Sequence, residues 1–270
     1  MLHLGLLITK DDDEIIGPWF RESTRYFDEV VCLDGSRSEQ ARLAAAAEPN
    51  VVYVHERDCG PVMRTDHGLR EAAHQILVGR HGHHGWITIC HPDEFFYHDP
   101  RKCCEQAELA DADGIDWYSL HFLPHPNDLA HREYLKHLPA HLRFRYYHWD
   151  YEGTGVPWRE FRSFRNHPRI RWQPSFHGSP QPIGCQAMGA FHPTLCHLKV
   201  FSLDPAWYSK QPGWTRFAHH WQEVAVGQTG LNWEANSIEE LFVDHYAPYR
   251  QCGHFHGKLD HAWNIGEQFR

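Results

Sequence analysis

Residues 2–34 read LHLGLLITKDDDEIIGPWFRESTRYFDEVVCLD and contain two short apolar runs separated by a segment with helical spacing. The first run (2–8) and the second (29–33) each have the length of one buried strand. Between them, the apolar residues recur at the spacing of one helix face: Ile15, Ile16, Trp19, Phe20, Tyr26 and Phe27. We expect Asp11, Asp12 or Asp13 to cap the start of this helix, where negative charge is favourable. A strand, a helix and a second strand in this order predict a parallel pair of strands.

The same alternation continues along the chain. It predicts an alanine-rich helix at 38–48, a strand at 50–55, a helix at 65–78 and a strand at 86–90. A further strand is expected at 115–122, and the sequence after it is rich in proline, histidine and aromatic residues. We therefore predict an α/β fold: a Rossmann-like, mainly parallel sheet flanked by helices, with an irregular, aromatic-rich C-terminal half. No linker or repeat divides the sequence, so we expect a single domain over residues 1–270, with halves 1–115 and 116–270.

Composition excludes several classes of protein. The chain has 26 Lys and Arg against 35 Asp and Glu, a formal charge of −9, whereas a nucleic-acid-binding surface is positive. No apolar stretch approaches the roughly 20 residues of a membrane span, and the first residues lack the features of a secretory signal. We expect a cytoplasmic protein with no nucleic-acid partner and no membrane span. The eight cysteines form no CxxC pair and are expected to be reduced thiols. Among the 25 histidines, the HGHHG stretch (81–85) is expected to form a turn.

Three polar clusters follow predicted strands. Thr9 and Lys10 follow the first strand, Asp34-Gly35-Ser36 the second, and His91-Pro92-Asp93-Glu94 the fourth. Ligands of parallel sheets bind outside the carboxyl ends of the strands, so the clusters are candidates for one site. The adjacent acids Asp93 and Glu94 fit a divalent cation shared with phosphate oxygens. The alternative for this pair is a solvated acidic turn that caps a helix starting near Pro100.

The order of these motifs resembles the family-2 glycosyltransferases with the GT-A fold. LLITKDDDEIIGPWF (6–20), VVCLDGSRSE (30–39) and WITICHPDEFF (86–96) occur in the family's order, and the last resembles its Asp-x-Asp-Glu-Phe metal motif. Two later segments are also similar to family stretches: FRSFRNHPRIRWQPSFH (161–177) and CHLKVFSLDPAWYSK (196–210). The resemblance covers roughly residues 2 to 210. It implies an enzyme that moves a sugar from a nucleotide-diphosphate donor to an acceptor hydroxyl with inversion, assisted by Mg²⁺ or Mn²⁺.

The resemblance also implies roles for individual residues. Thr9, Asp34 and Gly35 would line the nucleotide pocket, with Asp34 accepting a hydrogen bond from the base or the ribose. Asp93 would hold the metal, with His91 as a possible further ligand. The implied diphosphate contacts are the arginines Arg64, Arg162 and Arg165. His197 would complete the metal shell or bind the diphosphate.

Two departures from the family pattern leave the chemistry open. The first Asp of the metal motif is His91 here, and the family's His-Glu pair reads His177-Gly178, so a carboxylate expected near the acceptor is absent. A sugar hydroxyl that attacks the donor profits from a general base, and the candidates are His177, Asp150 and Glu152.

Two other functions remain open on the sequence alone. A His-rich metallohydrolase would use His254, His256 and Asp260 as metal ligands. A catalytically silent module that binds a sugar nucleotide or a glycan would keep Asp34 and Asp93 but lack a base.

Overall fold

The computed structural model describes residues 1–56, 68–122, 146–148, 159–173, 181–187, 192–198 and 257–258. These residues fall into two compact units. The first contains the described residues up to Tyr118 and from Arg159 to Leu195, and the second contains those from Ser119 to Trp158 and from Cys196 to Asn264. The predicted single domain with halves meeting at residue 115 stays a prediction.

The described residues contain four α-helices, a 3₁₀ turn at Thr24–Tyr26 and twelve strands. The helices are α1 (Ile16–Ser23), α2 (Gln40–Ala45), α3 (Leu69–His81) and α4 (Pro100–Leu109). The strands are β1 (His3–Thr9), β2 (Glu29–Asp34), β3 (Val51–His55), β4 (Trp86–Cys90), β5 (Glu94–Phe96), β6 (Gly114–Phe122), β7 (Tyr146–His148), β8 (Arg159–Arg165), β9 (Arg171–Gln173), β10 (Gln181–Ile183), β11 (Thr194–Leu198) and β12 (Gly257–Lys258).

The main sheet of the first unit has the strand order β3-β2-β1-β4-β8-β6. β1 lies in the middle and pairs in parallel with β2 and β4, and β2 pairs in parallel with β3. β8 is antiparallel to both β4 and β6, so it alone of these six strands runs in the opposite direction. The predicted α/β fold, with a mainly parallel sheet flanked by helices, is confirmed.

Apolar burial explains why the predicted strands form. Every residue of β1 and β4 is buried, which is typical of parallel strands covered on both faces. One face of the sheet packs through Leu6 and Val31 against α3, which contributes Ala73 and Leu77 to the same cluster. Val52 and Val54 of β3 also pack against this cluster, so Tyr53 and His55 lie on the opposite face.

The predicted cap of α1 is wrong. The helix begins at Ile16 without a side-chain cap, because the Asp12 carboxyl group turns back and accepts hydrogen bonds from Thr9 Oγ1 (2.8 Å) and the Lys10 amide (2.9 Å). The helix predicted at 38–48 is shorter, and α3 starts after a segment (57–67) that lies outside the described residues.

The alternative role of the acidic pair as a helix cap is also wrong. The α4 cap is Asp99, whose carboxylate accepts from the amides of Arg101 and Lys102. Asp93 and Glu94 therefore need another explanation.

Other expectations concern the turn, the thiols and the membrane. Gly82 and Gly85 have positive φ angles, as the predicted turn at 81–85 requires. The cysteines within the described part of the chain are all free thiols: Cys32, Cys90, Cys103, Cys104, Cys185 and Cys196. Among the helices of that part, none has the length and apolar character needed to span a bilayer.

The described part of the second unit consists of the end of β6, the end of β11 (196–198), β7 and β12. The last residues of β6 pair antiparallel with β7, through His121 with His148 and Phe122 with Tyr147. β12 adds to the other edge of β7.

Candidate functional site

The loops that follow β1 and β2 are bonded to each other at the carboxyl ends of the strands. The Gly35 amide donates to the Thr9 carbonyl (3.0 Å), and the Asp11 amide donates to Ser36 Oγ (2.8 Å). The Arg37 amide donates to the Asp11 carboxylate (3.2 Å). The first two predicted clusters therefore form one hydrogen-bonded polar cluster.

The loop after β4 lies at the same place. Burial raises the pKa of Asp12 to about 7, and the charge of Asp93 contributes to this shift. β1 pairs in parallel with β4, with Leu7 beside Cys90, so the loops after these two strands are neighbours. The three clusters predicted from the strand ends thus meet at one edge of the sheet, as expected for a parallel sheet.

The third cluster contains a group of possible metal ligands. One ligand atom each of His91, Asp93 and Glu94 lies within 4.8 Å of the others. The Glu94 side chain is buried, whereas His91 and Asp93 are half-buried. Imidazole nitrogen and carboxylate oxygen suit Mn²⁺ and, for the carboxylates, Mg²⁺.

Two guanidinium groups contact this cluster. Arg162 donates to Glu94 Oε1 (2.5 Å) and contacts Glu160 Oε2 (2.6 Å). Burial opposes the charge of Arg162, but Glu160 and Glu94 hold the pKa of this guanidinium above its ordinary value. Arg70, from the first turn of α3, contacts His91 Nε2 at 2.8 Å. Burial and the charge of Arg162 lower the pKa of Arg70 to about 10, so Arg70 is still positive at pH 7.

The imidazole of His91 is a neutral acceptor between the two arginines. Burial and the charge of Arg162 lower the pKa of His91. Nε2 lies 2.8 Å from Arg70 and 3.0 Å from Arg162, and guanidinium groups can only donate. Arg162 also lies 3.2 Å from Nδ1, but the two shorter contacts are with Nε2, and Nδ1 faces Glu94 Oε1 at 3.5 Å. We therefore assign the lone pair to Nε2 and the proton to Nδ1.

These contacts decide how the residues fit a cation. The Nε2 lone pair of His91 and Oε1 of Glu94 already accept from guanidinium groups, so neither atom can hold a cation without giving up that contact. The carboxyl groups around the cluster are Asp12, Asp93, Glu94 and Glu160, and the guanidinium groups are Arg70 and Arg162. At neutral pH Asp12 carries only part of a charge because its pKa is about 7, so the other three acids against two cations leave a small excess of negative charge, which favours a cation beside Asp93.

Asp34 ends β2 next to this edge and is completely buried, with an exposed fraction of 0%. Its Oδ1 accepts from the Ser36 amide (2.8 Å), and its Oδ2 accepts from the Tyr53 hydroxyl (2.7 Å). The carboxylate is therefore held from two sides.

The predicted site residues fall into three groups. The structure brings together Thr9, Asp34, Gly35, His91, Asp93 and Arg162. Arg165 lies elsewhere, beside Trp86 at the amino end of β4, with its guanidinium half-exposed and 3.8 Å from Glu108. His197 is buried on β11 in the second unit. The other candidates, Arg64, Asp150, Glu152 and His177, lie outside the described residues, as do His254, His256 and Asp260.

Sequence reasoning missed four side chains of this edge: Asp12, Tyr53, Arg70 and Glu160. Asp12 was not identified as a residue of this edge because it was one of three aspartates expected to cap α1. Arg70 lies within a helical pattern that explains it as a surface residue, and Tyr53 fits the apolar strand it belongs to. The available signal for Arg70 is that it shares the face of α3 with the buried residues Ala73 and Leu77.

Comparison with known proteins adds little to this geometry. No protein-family model matches the chain, and no curated protein matches it. Among solved structures, the chain is similar to a Bacillus anthracis protein described as a glucose-1-phosphate thymidylyltransferase, in complex with sucrose. The sequence identity is 10% and the TM-score is 0.30; the match covers 47% of this chain and 57% of that protein, which is less than two thirds of its length. A likeness at this level carries no argument about activity, so function is inferred from the site itself.

Proposed function

We propose that the chain is a glycosyltransferase that moves a sugar from a nucleotide-diphosphate donor to an acceptor hydroxyl with inversion. The observation that carries the proposal is the meeting of three polar loops at the carboxyl ends of β1, β2 and β4, with Asp93 in an excess of negative charge. This edge is where parallel sheets bind nucleotides. The order of motifs that resembles family-2 glycosyltransferases supports the choice of reaction.

Different residues of the site would bind different parts of the donor. The loop at Asp34 and Gly35 serves the nucleoside, because Gly35 lets a ligand approach the backbone closely. Asp93 would hold Mg²⁺ or Mn²⁺ beside the diphosphate, and the cation would stabilise negative charge on the departing diphosphate. Arg162 and Arg70 fix His91 and Glu94, so the loop that carries Asp93 keeps one geometry. The general base remains to be chosen among His177, Asp150 and Glu152.

The test is calorimetry with the full chain and a panel of nucleoside diphosphates, each with Mn²⁺ and with EDTA. We expect at least one nucleoside diphosphate to bind, and Mn²⁺ to strengthen its binding. Asp93→Asn removes the charge at nearly constant size and should weaken Mn²⁺-dependent binding by about tenfold or more. Glu105→Gln is the matched control, because Glu105 is an exposed acid on α4 and its loss should change affinity less than about twofold.

Three results would contradict the proposal in different ways. Unchanged Mn²⁺-dependent affinity in Asp93→Asn rejects the metal assignment. Binding of a sugar nucleotide without transfer or hydrolysis of any donor favours the silent binding module. A transition metal that copurifies tightly, together with no response to any nucleotide, favours the metallohydrolase.

A further inference from the structure

The buried position of Asp34 raises the question of which group contacts the nucleoside. With an exposed fraction of 0% and both oxygens accepting from Ser36 and Tyr53, Asp34 does not present its carboxylate to a ligand. The tyrosine whose hydroxyl donates to Asp34 is half-buried, so part of its side chain is open to solvent.

The hydroxyl of Tyr53 has a fixed direction. It lies 2.7 Å from Asp34 Oδ2 and 3.5 Å from His55 Nδ1, so its proton points to the nearer, negatively charged oxygen. Burial and the bond to Asp34 raise the pKa of Tyr53, and the hydroxyl keeps its proton. With the proton directed at Asp34, the phenolic oxygen has two lone pairs that can accept, and His55 Nδ1, 3.5 Å away, can use at most one of them.

The strand register places this oxygen beside the site. Tyr53 is paired with Cys32 on β2, two residues before Asp34, and His55 is paired with Asp34 itself. Side chains two apart share a face, so Tyr53, His55 and Asp34 lie on the sheet face opposite α3. The turn at Gly35 and Ser36, which is bonded to the loop after β1, begins directly after Asp34.

We propose that Tyr53 contacts the nucleoside of the donor, accepting a hydrogen bond from a ribose hydroxyl or a base N–H, and that Asp34 is a positioning residue that orients the Tyr53 hydroxyl. This inference rests on the proposed function, since it concerns the nucleoside end of the same site. It gives Asp34 a role through Tyr53 in place of a direct contact with the ligand.

The test compares Tyr53→Phe with the wild-type chain by calorimetry. The ligands are the nucleoside diphosphates that bind the wild type, their 2′-deoxy forms and inorganic pyrophosphate. Tyr53→Phe keeps the ring and loses the oxygen, so nucleoside diphosphate affinity should fall about fivefold or more, while pyrophosphate affinity stays within about twofold. Tyr26→Phe is the matched control: its hydroxyl contacts Arg25 and it precedes β2, at the other end of the strand, and it should leave both affinities unchanged.

Asp34→Asn and the double variant test the positioning role. If Asp34 acts through Tyr53, the two single losses should not add: Asp34→Asn in the Tyr53→Phe background should cost less than about a further twofold. A loss with Tyr53→Phe that disappears for 2′-deoxynucleotides assigns the contact to the 2′-hydroxyl, and a loss that persists assigns it to the base or the 3′-hydroxyl.

The outcomes separate this inference from the proposed function. Equal nucleotide affinity of Tyr53→Phe and wild type overturns the inference and leaves the proposed function intact. Additive losses overturn the positioning role of Asp34. If no nucleoside diphosphate binds the wild type more tightly than pyrophosphate does, the proposed function fails and the inference fails with it.

Discussion

The imidazole of His3 shows what a buried histidine does in this chain when it binds no ligand. Nδ1 lies 2.9 Å from the Tyr26 carbonyl oxygen, and Nε2 lies 2.9 Å from Thr88 Oγ1. Because a carbonyl only accepts, Nδ1 carries the proton and Nε2 accepts from the Thr88 hydroxyl. Ser163 and Trp117 extend the chain of hydrogen bonds beyond Thr88. Every polar atom of the ring is therefore satisfied in its neutral form.

This burial makes a prediction about pH. Burial lowers the pKa of His3 to about 3, whereas the pKa of a histidine in an unfolded chain is about 6.5. Between these two pKa values the unfolded state binds a proton at His3 that the folded state does not bind. The stability due to neutral His3 is therefore fully present above the pKa of the unfolded chain and is lost as the pH falls below it. The expected loss is about 1.4 kcal/mol per pH unit for a full proton.

Urea unfolding of the wild type and His3→Asn over this acid range measures the effect. Asparagine keeps a donor toward Tyr26 but does not titrate, so the unfolding free energy of the variant should fall less steeply with decreasing pH. His84→Asn, at an exposed turn position, should change the unfolding free energy at pH 7 by no more than about 0.5 kcal/mol. Parallel slopes for wild type and His3→Asn would show that His3 is not the source.

Buried histidines also show where the sequence stops being informative. The partners of His3 and His74 are Thr88 and Asn166, which lie 85 and 92 residues away along the chain. His74 further accepts from Trp172 Nε1 (3.1 Å). Local spacing contains no trace of such pairs, because they depend on which strands become neighbours. The sequence therefore does not show which groups satisfy a buried histidine.

At the scale of elements, the residues that flank a helix or strand decide how well its boundaries are predicted. β4 occupies the predicted residues 86–90 because a glycine with φ of +78° precedes it and a polar loop follows it. α1 starts later than expected because Asp12 makes local bonds to Thr9 and Lys10 that compete with helix capping. Short polar side chains have both options, and the sequence does not distinguish them.

Substitution by alanine should change the unfolding free energy in opposite directions at Gly85, which precedes β4, and at Gly79, which lies in α3. At Gly85 the positive φ disfavours a side chain, and a Cβ would collide with the Leu2 carbonyl oxygen and lie 2.8 Å from Leu2 Cβ. Gly85→Ala should therefore lower the unfolding free energy by about 2 kcal/mol or more. Gly79 lies inside α3 with no atom within 4 Å of an added Cβ, so Gly79→Ala should raise it by about 0.5–1 kcal/mol. Denaturant midpoints measure both, and shifts of the same sign would contradict the backbone argument.

At the scale of the whole molecule, the parallel strands themselves made the site predictable. Thr9, Asp34 and Asp93 could be placed together because each follows a strand that runs in the same direction as the others. The groups that balance their charges could not be placed, because Arg70 comes from α3 and Glu160 from β8. The sequence thus predicted which strand-end loops meet at one edge of the sheet better than which charges surround them. The overall charge of −9 gives no indication of the two buried arginines.

Those buried charges connect several segments of the first unit and should be essential for its stability. Arg162 on β8 is 2% exposed and contacts Glu94 (3% exposed) and Glu160, and it reaches His91 as well. Arg162→Met would remove this guanidinium group from buried Glu94 and half-buried Glu160. Removing one partner of a buried ion pair costs about 3–5 kcal/mol, mainly because the remaining charge has lost its compensation.

A double variant separates this cause from simple loss of packing. In Arg162→Met with Glu94→Gln, the buried charge that Arg162 compensated is also removed, so the two losses should fall short of their sum by about 1–3 kcal/mol. Arg165→Met is the control on the same strand: its guanidinium is 47% exposed and 3.8 Å from Glu108, and such surface pairs contribute about 1 kcal/mol at most. Equal losses in Arg162→Met and Arg165→Met, measured by urea unfolding, would mean that burial adds nothing to the ion pair. The expected result, a large and coupled loss at Arg162 alone, would mean that the loop carrying Asp93 is held in place by charges that must be paired before any ligand arrives.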